Sequence, residues 1–251
     1  MKSIYFLFVF LLGLTYQGIS QSETIGGFAD VPQGQVFMSH RNFNIEAFSI
    51  SKTEITNKQY KLFLDWLKDN DKKAEMLEAK PSLVKEEEKL LPKKYLKSKK
   101  YDQYPVVGIT KKQAEMYCDY LKEINPKVKG TFRLPSEREW VYAARAGNDL
   151  YRYSTGMALK DLKDNFICNY KIKDRKNAPT QAMSYQPNSF GLYNMSGNVA
   201  EWLSAEGRTK GGSWNDEPEN IEVLGKDPYM GQTNASPFIG FRVLWVSDPK
   251  I

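Results

Sequence analysis

The sequence contains few of the residues that hold metals and redox centres. One histidine, His40, and two cysteines, Cys118 and Cys168, occur in 251 residues. A lone histidine cannot complete a site built from several histidine ligands, so we expect His40 to be a surface or core residue. The sequence also offers no neighbouring base from which a Ser-His-Asp set can be proposed. The two cysteines either form a disulfide in an oxidising compartment or pack separately in the core.

Long apolar runs are also scarce, and the clearest one lies near the N-terminus. Residues 4–14 read IYFLFVFLLGL behind Lys2, a run shorter than the roughly 20 residues that span a bilayer. This pattern is typical of a signal peptide, residues 1–20, with Gly18 and Ser20 before the cleavage point. We therefore expect an exported protein, periplasmic or envelope-associated, with no transmembrane segment after signal removal. An uncleaved membrane anchor is the alternative. No cysteine follows the run, which excludes lipid attachment at a lipobox.

The remaining chain has the length of one large domain, which we place at residues 34–251, after a linker at residues 21–33. The net charge of +6 suggests a nucleic-acid partner at first, but much of it lies in residues 68–100. There both signs mix, and aromatic residues do not alternate with basic ones as base-stacking platforms would. We expect no nucleic-acid binding. The segment is predicted to be an exposed, charged helical insert, while contact with an acidic partner or phospholipid head groups is an alternative.

Periodicity predicts more regular structure in the first half of the chain than in the second. Residues 34–48 alternate polar and apolar side chains, which indicates strands around a turn. Three helices are predicted. Capping residues followed by apolar stripes place two of them, beginning at Thr56 or Asn57 and at Ser136, and apolar residues at helical spacing place the third, which begins at Thr110. Beyond Gly147 such patterns thin out, so this half is expected to depend on turns and aromatic packing.

Four motifs follow one another along the chain: RLPSEREWVYAARAG from Arg133, PNSFGLYNMSGNVAEW from Pro187, KGGSW from Lys210 and IGFRV from Ile239. In this order they resemble the signature blocks of the formylglycine-generating enzyme, or sulfatase-modifying factor, family. The segments SKTEITNKQYKLF and YPVVGITKKQAEMYC extend the resemblance over nearly the whole mature chain. The resemblance implies an α+β, C-type-lectin-like fold with little regular secondary structure.

The sequence departs from this family at the catalytic metal. The family's enzymes oxidise a substrate cysteine to formylglycine with copper(I), which two cysteines hold shortly after the GGS motif. Counting on from Ser213, those two positions are Asp216 and Ile221. Copper(I) prefers soft thiolates, whereas aspartate is a hard ligand and isoleucine is none. We therefore expect no copper, and Ser213, Asp216 and Ile221 are interpreted as degenerate active-site positions.

The family also binds structural calcium at a loop that corresponds to residues 194–201. Carried over by position, the ligands are Asn194, Gly197, Val199 and Glu201. One amide, two carbonyls and one carboxylate on a tight loop suit calcium, which takes six to eight oxygen ligands. The alternative is a metal-free turn in which Glu201 accepts hydrogen bonds from backbone donors. In both cases the role is structural.

A second calcium site of the family uses an Asn-hydrophobic pair and a later acidic residue before Ala-Pro. Asn169 and Tyr170 match the pair. Asp174 is the only acidic candidate, but it is displaced, and Arg175 and Lys176 beside it would repel a cation. The sequence therefore slightly favours the absence of this site.

The rest of the former pocket offers polar residues without a catalytic set. Asn215, Asn234 and Arg242 are candidate ligand-binding residues near Ser213 and Asp216. The simpler interpretation is that they hydrogen-bond irregular backbone, because buried backbone groups must find partners. Ser213 as a nucleophile would need a neighbouring base.

Three functions remain as hypotheses. The first is a noncatalytic binding or scaffold protein of the cell envelope with a protein partner. Family members without the cysteines include gliding-motility and type IX secretion lipoproteins, which this chain resembles in EITNKQYKLFLDWLKDN. The second is an enzyme of altered chemistry that uses Ser213, Asn215 and Asp216. The third is an intact formylglycine generator with an unrecognised copper site.

Overall fold

The computed structural model describes residues 27–248. The predicted signal peptide, residues 1–20, and the first part of the predicted linker, residues 21–26, lie outside this range. Among the described residues, none of the helices combines the length and the apolar character that a bilayer span needs. Chain order is given by β1 (Phe28–Val31), β2 (Gly34–Met38), β3 (Arg41–Ile45), β4 (Phe48–Ser51), α1 (Asn57–Asp69), α2 (Lys73–Ala79), α3 (Lys85–Glu88), α4 (Lys111–Ile124), β5 (Gly130–Arg133), α5 (Glu137–Arg145), β6 (Ala200–Trp202), β7 (Thr209–Lys210), β8 (Ile239–Gly240) and β9 (Leu244–Ser247).

An antiparallel sheet in the order β1-β4-β9-β5 joins the two ends of the domain. β9, the last strand, pairs with β4 through Ser49–Trp245 and Ile50–Leu244, and with β5 on its other side. β1 lies inside the segment expected to be a linker. It pairs with β4 along its whole length, and Phe28 and Val31 are buried. The domain therefore begins before residue 34, because these apolar side chains cover the core.

The three longer helices begin at residues that the sequence identified. Thr56, Thr110 and Ser136 are N-caps, and each forms a capping box with the side chain three residues later. Such boxes satisfy backbone donors that the first helical turn leaves free. Three of the predicted helix starts are thus confirmed, and so are the strands around a turn, which are β2 and β3.

Two apolar clusters fill the first half of the chain. In one, α1 and α4 pack their aromatic rings together, with Tyr60 stacked on Tyr117 at 5.9 Å and Phe241 edge-on to Tyr117 at 5.4 Å. In the other, α5 packs Trp140 against the hairpin β2–β3 and the strands β1 and β4. Both clusters include residues in or next to β9, the last strand, so the C-terminal segment completes both.

The two cysteines are free and lie in different clusters. Cys118 is buried among the aromatic residues of α1 and α4, while Cys168 is buried beside Tyr153, Tyr170 and Ile221. Of the two interpretations left open by the sequence, separate core packing is the one observed.

The second half contains little regular structure, as expected from the fading periodicity. Between residues 146 and 199 the described chain has turns and bends but no helix and no multi-residue strand. Three short strands in the order β7-β6-β8 follow, and β6 runs parallel to β8 with Glu201 opposite Gly240. This small sheet places the loop at residues 194–201 next to the C-terminal segment.

The charged insert carries α2 and α3, and most of its side chains are exposed. Its apolar residues are not equivalent: Leu91 and Tyr95 are buried, while Leu90 is 49% exposed. Leu91 and Tyr95 belong to a cluster with Val107, Val199 and Trp214, which anchors the insert to the body of the domain.

Candidate functional site

The centre of the family motifs is a buried ion pair between Glu201 and Arg242. Nε of Arg242 donates to Oε2 of Glu201 at 2.6 Å, and a terminal nitrogen of Arg242 donates to Oε1 at 2.7 Å. Trp140 donates its indole N–H to Oε2 at 2.7 Å. Both charged side chains are fully buried. β6 and the residues after β8 lie side by side, so the parallel strand pairing sets this contact.

Arg242 is therefore not a ligand-binding residue. Besides Glu201 it donates to the carbonyls of Ser51, Lys52 and Tyr193, so its five hydrogen bonds use all the N–H donors that an arginine has. The prediction that it binds a ligand is wrong because none of its donors faces an open pocket. Arg242 instead donates hydrogen bonds to irregular backbone, which was the simpler interpretation of the sequence.

A second buried carboxyl group, Glu54, lies beside the predicted calcium loop. Asn198 donates to its Oε1 at 2.7 Å and Asn194 to its Oε2 at 3.2 Å. Burial raises the pKa of Glu54 to about 8, the charge of Arg242 lowers that pKa, and the charge of Glu201 raises it further. Sequence reasoning missed this residue, since its partners lie more than 130 positions away. The only available signal was its place in the block SKTEITNKQYKLF.

The loop at residues 194–201 is held in a fixed conformation by its own polar side chains. Asn198 accepts hydrogen bonds at Oδ1 from Thr180 N and Asn169 Nδ2. Gly197 has φ +80°, and a Cβ there would lie 2.1 Å from Asn169 O. Only glycine fits this close approach of two backbones. The loop is thus shaped by requirements that exist without any ion.

The contacts of Glu201 conflict with a simple calcium role for this residue. Arg242 already neutralises its charge, and a cation bound to the same carboxylate would lie close to the guanidinium. Oε1 accepts one hydrogen bond from Arg242, which leaves an acceptor site on that oxygen. Calcium at Asn194, Gly197, Val199 and Glu201 therefore stays a prediction, and it requires Glu201 to share its carboxylate between Arg242 and the ion.

The second calcium site, at Asn169, Tyr170 and Asp174, stays a prediction. Asp174 is exposed, whereas Asn169 turns its amide toward Ala178 O at 2.9 Å and Asn198 Oδ1 at 3.2 Å. Tyr170 is buried in the cluster of Cys168. Across residues 27–248 no group of three or more His, Cys, Asp or Glu side chains is arranged to hold a metal ion.

The first degenerate copper position, Asp216, belongs to a closed hydrogen-bonded triangle. Tyr229 OH donates to Asp216 Oδ2 at 2.7 Å and lies 2.8 Å from Ser213 Oγ, while Ser213 N donates to the same Asp216 oxygen at 2.7 Å. Burial, followed by the charge of Asp216, raises the pKa of Tyr229 well above its ordinary value. The phenol therefore keeps its proton and cannot serve as a base for Ser213, which is itself fully buried.

The second degenerate position, Ile221, is fully buried in an apolar cluster with Tyr153, Cys168 and Tyr170. Cys168 is the only thiol in that cluster, and burial raises its pKa to about 12. One thiol in an otherwise apolar cluster does not supply the pair of sulfur ligands that the family's copper site uses. Asn215 and Asn234 are exposed, and the backbone N–H of Asn215 donates to Ser213 Oγ at 3.1 Å.

The family model described as the sulfatase-modifying factor enzyme 1-like domain matches residues 13–247. The chain therefore belongs to this family, and the α+β fold expected from the motifs is confirmed. The crystal structure of CarF resembles the protein with a TM-score of 0.65 and 22% sequence identity, covering 88% of this chain and 98% of that chain.

Related sequences include both an enzyme and a protein named as inactive. The formylglycine-generating enzyme of Thermomonospora curvata is 34% identical over 112 residues, 40% of this chain and 33% of that protein. The inactive C-alpha-formylglycine-generating enzyme 2 of Bos taurus is 28% identical over 158 residues, 56% of this chain and 50% of that protein. The chain thus spans no more than half the length of these two relatives.

Proposed function

We propose that the protein is a noncatalytic member of its family that acts as a binding or scaffold module of the cell envelope. The observation that carries this proposal is the state of the two copper positions. Asp216 is engaged by Ser213 and Tyr229, and Ile221 is closed into an apolar cluster. A soft thiolate pair has no counterpart at either position, so the metal on which the family's oxidation depends has no ligands there.

The envelope part of the proposal depends on the N-terminal sequence. An apolar run of signal-peptide length precedes the domain, and exported proteins act outside the cytoplasm. A protein partner in a secretion or gliding-motility assembly fits a domain that keeps the family's scaffold without its copper ligands. The partner itself is sought by affinity capture of the intact mature protein from envelope extract, and recovery of a secretion or outer-membrane protein would support the proposal.

The catalytic question is tested with a cysteine-containing sulfatase peptide. We expect the wild-type protein, incubated with copper(I) and oxygen, to leave the peptide mass unchanged, because neither position offers sulfur. The double variant Asp216→Cys/Ile221→Cys is the matched comparison, since it restores both thiols at the family's spacing. We expect this variant to bind copper(I), measured by competition with a chromogenic chelator. Conversion of the peptide by the wild-type protein would overturn the proposal.

An enzyme of altered chemistry in the same region is the second candidate. The contact that favours it is the 2.8 Å approach of Ser213 Oγ to Tyr229 OH beside Asp216. Full burial of Ser213 opposes it, because a nucleophile must reach its substrate. Incubation of Ser213→Ala and wild-type protein with panels of activated esters separates the two. Turnover by the wild type that Ser213→Ala abolishes would support this second candidate.

A further inference from the structure

A large cavity in the described chain lies between α1 and the charged insert, and neither Glu201 nor Arg242 lines it. It has a volume of about 860 Å³, and its walls come from α1, from residues 80–97 and from Val106. Small-molecule sites commonly occupy about 300–1,000 Å³. None of Ser213, Asp216 and Ile221 lines this cleft, although its inner residues Leu91 and Tyr95 pack against Val199 and Trp214.

The floor of the cleft presents an apolar surface to a ligand, although tyrosine and asparagine side chains contribute to it. Tyr60 OH donates to Ala79 O at 2.8 Å, Tyr95 OH to Pro105 O at 2.7 Å, and Asn57 Nδ2 to Tyr101 O at 3.0 Å. These polar atoms are satisfied inside the protein, so the floor offers rings and the side chains of Leu83 and Leu96. A polar ligand group buried there would lose its hydrogen bonds to water without replacement.

The rim of the cleft is strongly basic. Seven lysines line it against a single glutamate, Glu88. Two of the lysines have acidic neighbours, Lys61 with Asp102 at 2.7 Å and Lys89 with Glu86 at 3.5 Å. Among the described residues the other five form no ion pair within 4 Å, and their side chains are exposed at the mouth of the cleft: Lys80, Lys85, Lys93, Lys94 and Lys97. The mouth therefore carries unneutralised positive charge above an apolar floor.

We propose that this cleft binds a long-chain fatty acid, with the acyl chain on the apolar floor and the carboxylate among the rim lysines. The basic rim is complementary in charge to an anionic head group. The floor, whose polar atoms are already hydrogen-bonded within the protein, favours a hydrocarbon chain. An acidic peptide is a poorer fit, because its backbone N–H and C=O groups would find no partners on the floor. The site is independent of the copper positions, so its failure would leave the noncatalytic proposal unaffected.

The probe is cis-parinaric acid, a fluorescent 18-carbon fatty acid, titrated below its micelle concentration into the mature protein. We expect saturable binding that oleate displaces, and displacement by oleyl alcohol about tenfold weaker because the alcohol lacks the charge. The variant Lys93→Glu/Lys97→Glu should reduce affinity about tenfold, while Leu83→Trp should obstruct the floor and abolish binding. Rising salt should weaken oleate binding more than oleyl alcohol binding.

The matched control is Lys127→Glu/Lys129→Glu, which makes the same change in net charge at lysines that do not line the cleft. It should keep the wild-type affinity to within about twofold. All variants are first checked for an unchanged melting transition, since each changes exposed or half-buried side chains. Equal displacement by oleate and oleyl alcohol, or equal loss in the two double variants, would overturn the proposal. Binding only to poly-glutamate or to phosphatidylglycerol vesicles would overturn it as well.

Discussion

The two halves of the domain reach the same degree of burial by different means. Residues 28–145 contain all five α-helices and five of the nine strands, and their cores are apolar stripes on regular elements. Residues 146–248 contain four short strands, yet they bury more polar and charged side chains than the first half, twelve against seven: Ser154, Asn188, Asn194, Ser196, Asn198, Glu201, Thr209, Lys210, Ser213, Asp227, Ser236 and Arg242. In the second half, hydrogen bonds from polar side chains satisfy the backbone groups that helices and sheets satisfy in the first half.

Asn188 shows how this works at one position. Its Nδ2 donates to the carbonyls of Ala143 and Ala144 at the end of α5, at 2.8 and 3.1 Å. Its Oδ1 accepts from the backbone N–H groups of Phe190 and Leu192. One side chain thus satisfies four backbone groups that no helix or sheet ladder serves, which is the condition for burying irregular chain. We therefore predict that replacing polar side chains in the second half lowers the free energy of unfolding more than similar replacements in the first half.

The largest expected effect is loss of the buried ion pair. Glu201→Ala leaves Arg242 charged and unpaired in the core, and removing one partner of such a pair costs about 3–5 kcal/mol of the free energy of unfolding. Urea denaturation followed by fluorescence measures it. The control is Glu206→Ala, which removes an exposed partner of Lys111 and should cost about 0–1 kcal/mol. Similar losses in both variants would contradict the contrast between buried and surface pairs.

The next effect concerns calcium at the loop of residues 194–201. If the ion binds the native state alone, a hundredfold excess over its Kd adds about 2.7 kcal/mol to the free energy of unfolding, and a chelator removes it. Asn194→Ala should abolish this response, measured as the difference in melting temperature with calcium and with chelator. Glu201→Ala is unsuitable for this test because it also breaks the ion pair. A chelator effect of equal size in wild type and Asn194→Ala would place the ion elsewhere.

A smaller effect is expected at Asn188. Asn188→Ala leaves buried carbonyl and amide groups without partners, so we expect a loss of about 2 kcal/mol. The matched change in the first half is Asn70→Ala, whose side chain donates to Trp66 O at an exposed helix end. Because water can replace that hydrogen bond, the control should lose about 0.5 kcal/mol or less. Equal losses, again from urea denaturation, would show that the two halves do not differ as described.

The smallest expected effect on the free energy of unfolding lies in the first half, at the capping box of α5. Burial raises the pKa of Glu139, but hydrogen bonds from Arg133 and Ser136 outweigh it, and the pKa lies below the ordinary 4.5. A carboxylate with a lowered folded-state pKa stabilises above the unfolded pKa, and this contribution disappears as pH falls through the folded-state value. Glu139→Gln should therefore cost about 1 kcal/mol at pH 7 and less at pH 3. A cost independent of pH would mean that the charge of Glu139 contributes nothing.

The sequence predicted the parts of the fold that depend on local spacing. Capping residues marked the starts of α1 and α5, helical spacing of apolar residues marked α4, and alternation marked β2 and β3. The family motifs supplied the fold as a whole. β1 was missed because FADV is short and its partner, β4, gives no local signal. Which strands pair depends on packing against the rest of the core. The sequence of a short segment carries no information about that packing.

The candidate site was less predictable, because its contacts join residues far apart in sequence. Arg242 and Glu201 were each given a ligand-binding role, yet they bind one another across 41 positions. Glu54 and Tyr229 were missed, although each is central to a polar cluster. Which side chain neutralises a buried charge is a property of the assembled core, and spacing along the chain carries no information about it. The prediction that copper is not bound, by contrast, needed only the identities of two residues.

The position of β9 affects when the domain can form during synthesis. β9 lies between β4 and β5 in the main sheet, although it is made almost 200 residues after β4. The segment before it also supplies Arg242, whose donors reach Ser51 and Tyr193. Until residues 239–247 leave the ribosome, the sheet lacks its inner strand and the core lacks its only buried cation partner for Glu201. A growing chain of this kind cannot complete its core until nearly all of it has been made.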